Sequence, residues 1–231
     1  MTNGSPSETP SAGVVDLLGL LAYAELVSFF RLSGDAGLAP DLAAKGELAG
    51  AAAAEYRHYR LLHDRLTEMG VDPEAAMEPF VEPLDAWHAR TEPKNWLESL
   101  VKTYVGDGIS GDFYRVVAKV ADARTAELVD GAVDDDERAE VIGARVRAAV
   151  EADPKLAGPL SLWARRLVGE ALSQAQLVAA HRPELAALVA AGAERAGEGS
   201  GRESDLAAVS RLFAGLTEAH SARLAAMGLS T

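Results

Sequence analysis

The sequence predicts an all-α protein: a four-helix bundle with an extra helix packed against it and a helical appendage at the C-terminus. Three observations predict this. Ala, Leu, Val and Glu dominate while aromatic residues make up only 6% of the chain, and strong helix formers at that density favour helices before any pattern is read. Long stretches carry apolar residues at helical spacing, each ended by Gly or Pro. Strand signals are absent. At 231 residues the length favours one domain with a short appendage, and a chain of this size hides roughly 70% of its unfolded surface.

The elements follow in order. Residues 1–13 are rich in Ser, Thr, Pro and Gly, contain no Lys or Arg, and are expected to be a disordered tail rather than a secretory signal. The first helix is expected from Val14 to Leu32, ending at Ser33-Gly34. Its apolar run suggests a membrane span, but Asp16, Glu25 and Arg31 interrupt it and no basic flank precedes it, so a buried core helix and no membrane contact are expected. The second helix starts near Asp41, a good N-cap, and ends at Gly70. Pro73, Pro79, Pro83 and Pro93 then break up Val71 to Pro93, a connection with one short helix at Glu74 to Met77. The third helix is expected over Asn95–Ala121, the fourth over Ala123–Ala152 and the fifth over Pro159–His181. The bundle thus occupies 14–182. Residues 183–231 form a helical extension, with a flexible linker near 192–205 and a last amphipathic helix over Asp205–Met227 that presents Leu206, Val209, Leu212, Phe213, Leu216 and Leu224.

Composition excludes several functions. There is no cysteine, so disulfides, Cys-ligated zinc, iron–sulfur clusters and Cys nucleophiles are ruled out, and the chain suits a reducing cytoplasm. A formal net charge of −13 with no dense Lys/Arg cluster counts against general nucleic-acid binding.

Glu25 carries the most information. Leu21, Ala22, Ser28 and Phe29 lie one turn away on the face expected to be buried, and a buried carboxylate costs several kcal/mol unless paired or metal-bound. Glu55 and His58 stand at i,i+3 on one face of the second helix. A carboxylate and an imidazole so placed are what a bundle-core metal site uses, with a Glu from each of two helices and Glu-x-x-His from two others. Glu25 and Glu55 are 30 residues apart, a helix plus a turn, which returns both to one level in an antiparallel pair. The second half of such a site should repeat the pattern. Asp107 and Asp135 are 28 residues apart, but the repeat reads Asp-x-x-Arg, with Arg138 where His is expected. Asp112, Glu127 and Asp130 are reserve ligands should the register differ. His63 is expected on the helix surface beside Asp64, and His88, His181 and His220 in solvent. Glu170 is expected to pair with Arg166 one turn earlier. The glycines Gly106, Gly108 and Gly111 permit either a substrate's approach or close helix packing.

Glu55-Tyr56-Arg57-His58-Tyr59, after a helix centred on Glu25, resembles the first two helices of ferritin-like tRNA-modifying di-iron hydroxylases of the MiaE type, which hydroxylate the isopentenyl group of a methylthio-isopentenyl-adenosine. The run from Tyr104 to Tyr114 resembles their third helix, and Leu162 to Ala171 a segment of a related ferritin-like branch. The resemblance covers roughly Gly13 to Ala180. It implies a ferritin-like fold with a long crossover between the second and third helices, an iron-dependent hydroxylase or oxidase activity on a tRNA substrate, an electron-donor protein, and six ligands: Glu25, Glu55, His58, Asp107, Asp135 and a histidine where Arg138 stands. Arginine cannot donate a lone pair to iron. Two outcomes remain open: iron, one or two atoms, on a site weakened in its second half, or a guanidinium that enters the box and replaces the metal's charge, leaving a non-enzymatic scaffold. An oxidase of a small apolar molecule is a third reading, favoured by an apolar tunnel beside Glu25.

Overall fold

A computed structural model describes residues 11–117, 119–120, 122–132, 136–195 and 205–230. Among these the helices are α1 (Ala12–Asp35), α2 (Leu42–Glu68), α3 (Pro73–Arg90), α4 (Trp96–Val117), α5 (Ala123–Ala132), α6 (Asp136–Ala152), α7 (Ala157–His181), α8 (Pro183–Arg195) and α9 (Asp205–Ala226). No strand occurs among the described residues.

The α1 and α2 helices form an antiparallel pair. Ser11 caps α1 by accepting from the Val14 amide, and Asp41 caps α2 by accepting from the Ala44 amide; each satisfies a donor that the first turn leaves without a helical partner. Gly70, at φ +74°, stops α2 in the left-handed region that a glycine adopts without strain. Leu17, Leu18 and Ala22 are fully buried and join Leu62, Leu66 and Phe80 in the larger core cluster. Removing each of these leucines from water contributes about 1.5–3 kcal/mol. The stretch Ala12–Leu38 is long and apolar enough to cross a membrane, yet half of its most apolar window is packed inside the protein.

Four expectations need correction. The Val71–Pro93 connection is mostly one helix of 18 residues. Pro73 sits in its first turn, where no amide hydrogen bond is lost, and Asp72 caps it. Pro79 and Pro83 remain inside; the helix survives because Ala76, Met77 and Phe80 bury one face against α1, and packing outweighs propensity. The two helices approach so closely that a Cβ on Gly19 would stand 2.1 Å from the Ala76 carbonyl oxygen. Second, the expected fourth helix is described in two parts, α5 and α6, and residues 133–135 between them lie outside the described residues. Third, Gly192 belongs to α8, pressed against the Val116 carbonyl oxygen, 2.8 Å from where its Cβ would be, so residues 192–195 of the expected linker are helical; residues 196–204 lie outside the described residues. Fourth, Glu170 pairs with Arg90 of α3 at 3.4 Å, not with Arg166.

A second core cluster joins α4, α6, α7 and α9 through Val101, Val105, Val146, Leu167 and Leu224. On α9, Leu212, Leu216 and Leu224 are buried as expected, while the side chains of Leu206, Val209 and Phe213 lie outside the description. The space between the α1/α2 pair and the α4/α6 pair holds the polar residues.

Candidate metal centre

Each helix delivers its polar residue from an otherwise apolar face. Glu25 lies on the α1 face that carries Leu18, Leu21 and Ala22, and Glu55 on the α2 face that carries Leu48, Ala52 and Leu62. Both are nearly inaccessible, at 5% and 7%. Ligand atoms of Glu25, Glu55 and His58 all lie within 4.8 Å of one another, and His58 Nδ1 is 3.5 Å from Glu25 Oε2. The 30-residue spacing and the i,i+3 pair therefore place three donors together.

The electrostatics follow from this crowding. Burial pushes the Glu55 carboxyl up to about 8, and the charge of Glu25 and a hydrogen bond to Glu25 push in the same direction; Arg138 and His58 pull it back only in part. Two carboxylates this close disfavour each other's ionisation.

Asp107, from α4, and Arg138, from the first turn of α6, face the pair from the other side. The guanidinium reaches Glu55 Oε1 at 3.0 Å with one nitrogen and Asp107 Oδ2 at 3.1 Å with the other. The arginine thus enters the core, as one of the two open outcomes required, and its partners are Asp107 and Glu55. Of the reserve ligands, Asp112 is tied to Arg115 at 3.0 Å and to Arg223 of α9, and Glu127 is exposed on α5; neither joins the site. Asp135 lies outside the described residues, as does the side chain of Asp130.

Among the described residues, Glu25, Glu55 and His58 form a donor set that fits one metal ion. Two carboxylates and an imidazole suit iron or a similar divalent ion, and a cation between them would offset the burial and the Glu25 charge that raise the Glu55 carboxyl. On the second side a guanidinium supplies the positive charge but no ligand atom.

Two cavities meet here. One, of about 150 Å³, is lined by Glu25, Glu55, Asp107 and Arg138 at one end and by Arg31, Asp35, His88 and Lys102 elsewhere. The other, of about 200 Å³, is walled by Leu20, Ile109, Phe113, Val178, Leu185 and other apolar groups. Ala24, Leu84, Trp87, Gly106 and Ser110 line both. Gly106 has nothing near its Cβ position, whereas Gly108 packs against the Arg223 side chain. Close packing, one of the two expectations for the glycine cluster, is thus found at Gly108, while Gly106 borders open space.

The sequence reading misplaced His88. It is 5% exposed, because the continuous α3 sets Phe80, Leu84, Trp87 and His88 on one inward face. His220, at 2%, is likewise buried, not solvated, under α9. Lys102, 6% exposed on α4, was not singled out at all; its place between Ser99 and Gly106 on a face otherwise made of Leu100, Val101 and Val105 was the available signal. His63 lies 3.3 Å from Asp64 on the α2 surface, as expected.

A family model described as "Ferritin-like domain, actinomycetes" matches residues 9–192. The chain belongs to this ferritin-like family. A solved structure from Synechococcus, described as protein 19 with aldehyde deformylating oxidase activity, superposes with a TM-score of 0.68 at 17% identity, covering 95% of this chain and 91% of that one. At that identity the likeness speaks for the fold. A search of curated proteins returns no match. The ferritin-like domain of this chain therefore has the bundle that its sequence implies, with an altered half on the α4/α6 side.

Proposed function

We propose that this ferritin-like protein is an oxidase that holds a single iron on Glu25, Glu55 and His58 and acts on an apolar substrate in the adjoining chamber. The observation that carries this reading is the trio of donors, two buried carboxylates and the half-buried His58, mutually within 4.8 Å, beside a largely apolar cavity that shares Ala24 and Gly106 with their own. Iron bound there would supply dioxygen activation. Glu25 and Glu55 would hold it as anionic ligands and His58 through nitrogen. Arg138 fixes the charge on the far side and keeps Asp107 turned toward the site. Leu20, Ile109 and Phe113 exclude water from the chamber, which strengthens every electrostatic contact at its mouth. The solved structure's printed aldehyde deformylating oxidase activity is in keeping with an oxidase, and an apolar substrate is preferred to tRNA because a chain of net charge −13 repels a phosphate backbone.

A second reading rests on one observation. The Arg138 contacts with Glu55 and Asp107 give the box a permanent cation, which suits a scaffold that has lost its metal. Anaerobic titration of metal-free protein with ferrous ion separates the two. One equivalent bound by the parent and none by His58→Ala is the expected result; no binding by the folded parent leaves the scaffold.

A further inference from the structure

The cavity beside the carboxylates has a cationic wall that the metal reading does not use. Lys102 is 6% exposed, and its ammonium donates to the Thr91 carbonyl at 2.7 Å and lies 4.9 Å from the centre of the Trp87 ring. Among the described residues it makes no ion pair. Burial pushes it down to about 8, the mark of a charge held where charge is disfavoured. His88, beside Trp87, is 5% exposed, and its Nδ1 is buried without a hydrogen-bond partner. Arg31 completes the wall from α1 and makes no ion pair among the described residues. Asp35, which with Glu92 is an acid whose charge reaches Lys102, accepts from the Ser99 hydroxyl at 3.0 Å.

At this end of the cavity a buried ammonium and a half-buried guanidinium face one carboxylate, while Glu25, Glu55 and Asp107 line the other end with Arg138. A buried ammonium is costly unless an anion completes it. Charge-assisted hydrogen bonds from an ammonium and a guanidinium are the strong ones, and the fork of an arginine matches a carboxylate. The same cavity shares Ala24, Leu84 and Trp87 with the apolar chamber, so a ligand whose head sits on this wall has its tail directed into hydrocarbon surroundings.

We propose that Arg31, Lys102 and His88 form a carboxylate subsite, and that the ligand of this protein is an aliphatic carboxylic acid whose chain fills the apolar chamber. That this ligand is also the substrate rests on the oxidase reading; that it binds does not. The assignment separates the head-binding groups on α1, α3 and α4 from the metal donors, and places the chain beside Glu25 rather than the carboxylate on the metal.

Calorimetric titration of the full-length protein with sodium decanoate, decan-1-ol and sodium acetate tests it. Decanoate is expected to bind once per chain, at least about tenfold tighter than decan-1-ol, with acetate weaker than either. Lys102→Met and Arg31→Met should each weaken decanoate at least about tenfold and leave decan-1-ol within about twofold. Two independent variants are used so that a folding defect in one leaves the other to decide. Decanoate binding no tighter than decan-1-ol, undiminished decanoate binding in both variants, or acetate binding as well as decanoate overturns the proposal. Ferrous titration of the same samples keeps the two readings apart: decanoate bound without iron sinks the oxidase and leaves the subsite, whereas iron bound without decanoate sinks the subsite alone.

Discussion

The two sides of the polar box occupy equivalent places in the bundle and have opposite chemistry. On the α1/α2 side, Glu25, Glu55 and His58 converge with donor atoms within 4.8 Å and a carboxyl raised to about 8: a set of ligands crowded around too little positive charge. On the α4/α6 side, Asp107 meets a guanidinium at 3.1 Å, and that pair is electrically complete. The comparison teaches that one bundle can pair its buried carboxylates in two ways, with a histidine on one side and with a guanidinium on the other. It also explains why the intact half leans on the altered one, since Arg138 spans both by contacting Glu55 as well.

The sharpest way to break this comparison is to remove the cation. Arg138→Met should cost the metal-free protein about 3 kcal/mol, because it strands Asp107 and worsens the Glu25–Glu55 repulsion; urea unfolding at neutral pH measures it, and a variant as stable as the parent would show that the guanidinium is no stand-in for a metal. Next in size, Glu55→Gln should weaken ferrous binding at least about 100-fold, or about 2.7 kcal/mol, while leaving the metal-free fold at least as stable as the parent, since it abolishes the carboxylate conflict. A destabilised Glu55→Gln would mean that the two acids are not in conflict. Arg138→His would sharpen the contrast: it restores the nitrogen that the second half lacks, and metal analysis should move from one equivalent toward two.

A smaller effect separates the cationic wall from both halves. Lys102 falls from 10.5 to about 8 on folding, so between those values the unfolded chain binds more protons and stability rises with pH. Lys102→Met should abolish that rise and be more stable than the parent at pH 7. His88 falls from 6.5 to about 2; the unfolded chain takes up the proton first, so stability is lost as pH drops below about 6.5, and His88→Phe should flatten that limb of the melting-temperature profile. Least of all, Arg90→Ala, which breaks the exposed pair with Glu170, should change stability by under about 1 kcal/mol.

Much of this architecture was legible in the residues. Helical spacing, caps such as Asp41 and terminators such as Gly70 are local signals, and they located α1, α2, α4 and α7 to within a few residues. Glu25, Glu55 and His58 were legible because a carboxylate on an apolar stripe is conspicuous and a 30-residue spacing has a geometric meaning. Arg138 was legible as a departure from an expected repeat. Tertiary override hid the rest. Proline punctuation read as a broken connection because the burial of Ala76, Met77 and Phe80, which holds α3 together, depends on a partner helix distant in sequence. That error carried His88 into solvent. Lys102 was invisible for a related reason: a lysine among apolar residues reads as a snorkelling surface group, and only the meeting of α1, α3 and α4 around it makes it interior.

Arg138 is the third residue of α6, at the end of that helix where the aligned peptide dipoles present positive potential. The dipole of its own helix therefore disfavours a cation there, while Asp136 and Glu137, just before it in sequence, favour one. Glu55 and Asp107 draw it inward. Whatever takes up the charge of those two carboxylates weakens that pull, and a first-turn side chain can swing aside without breaking a single backbone hydrogen bond of the helix behind it.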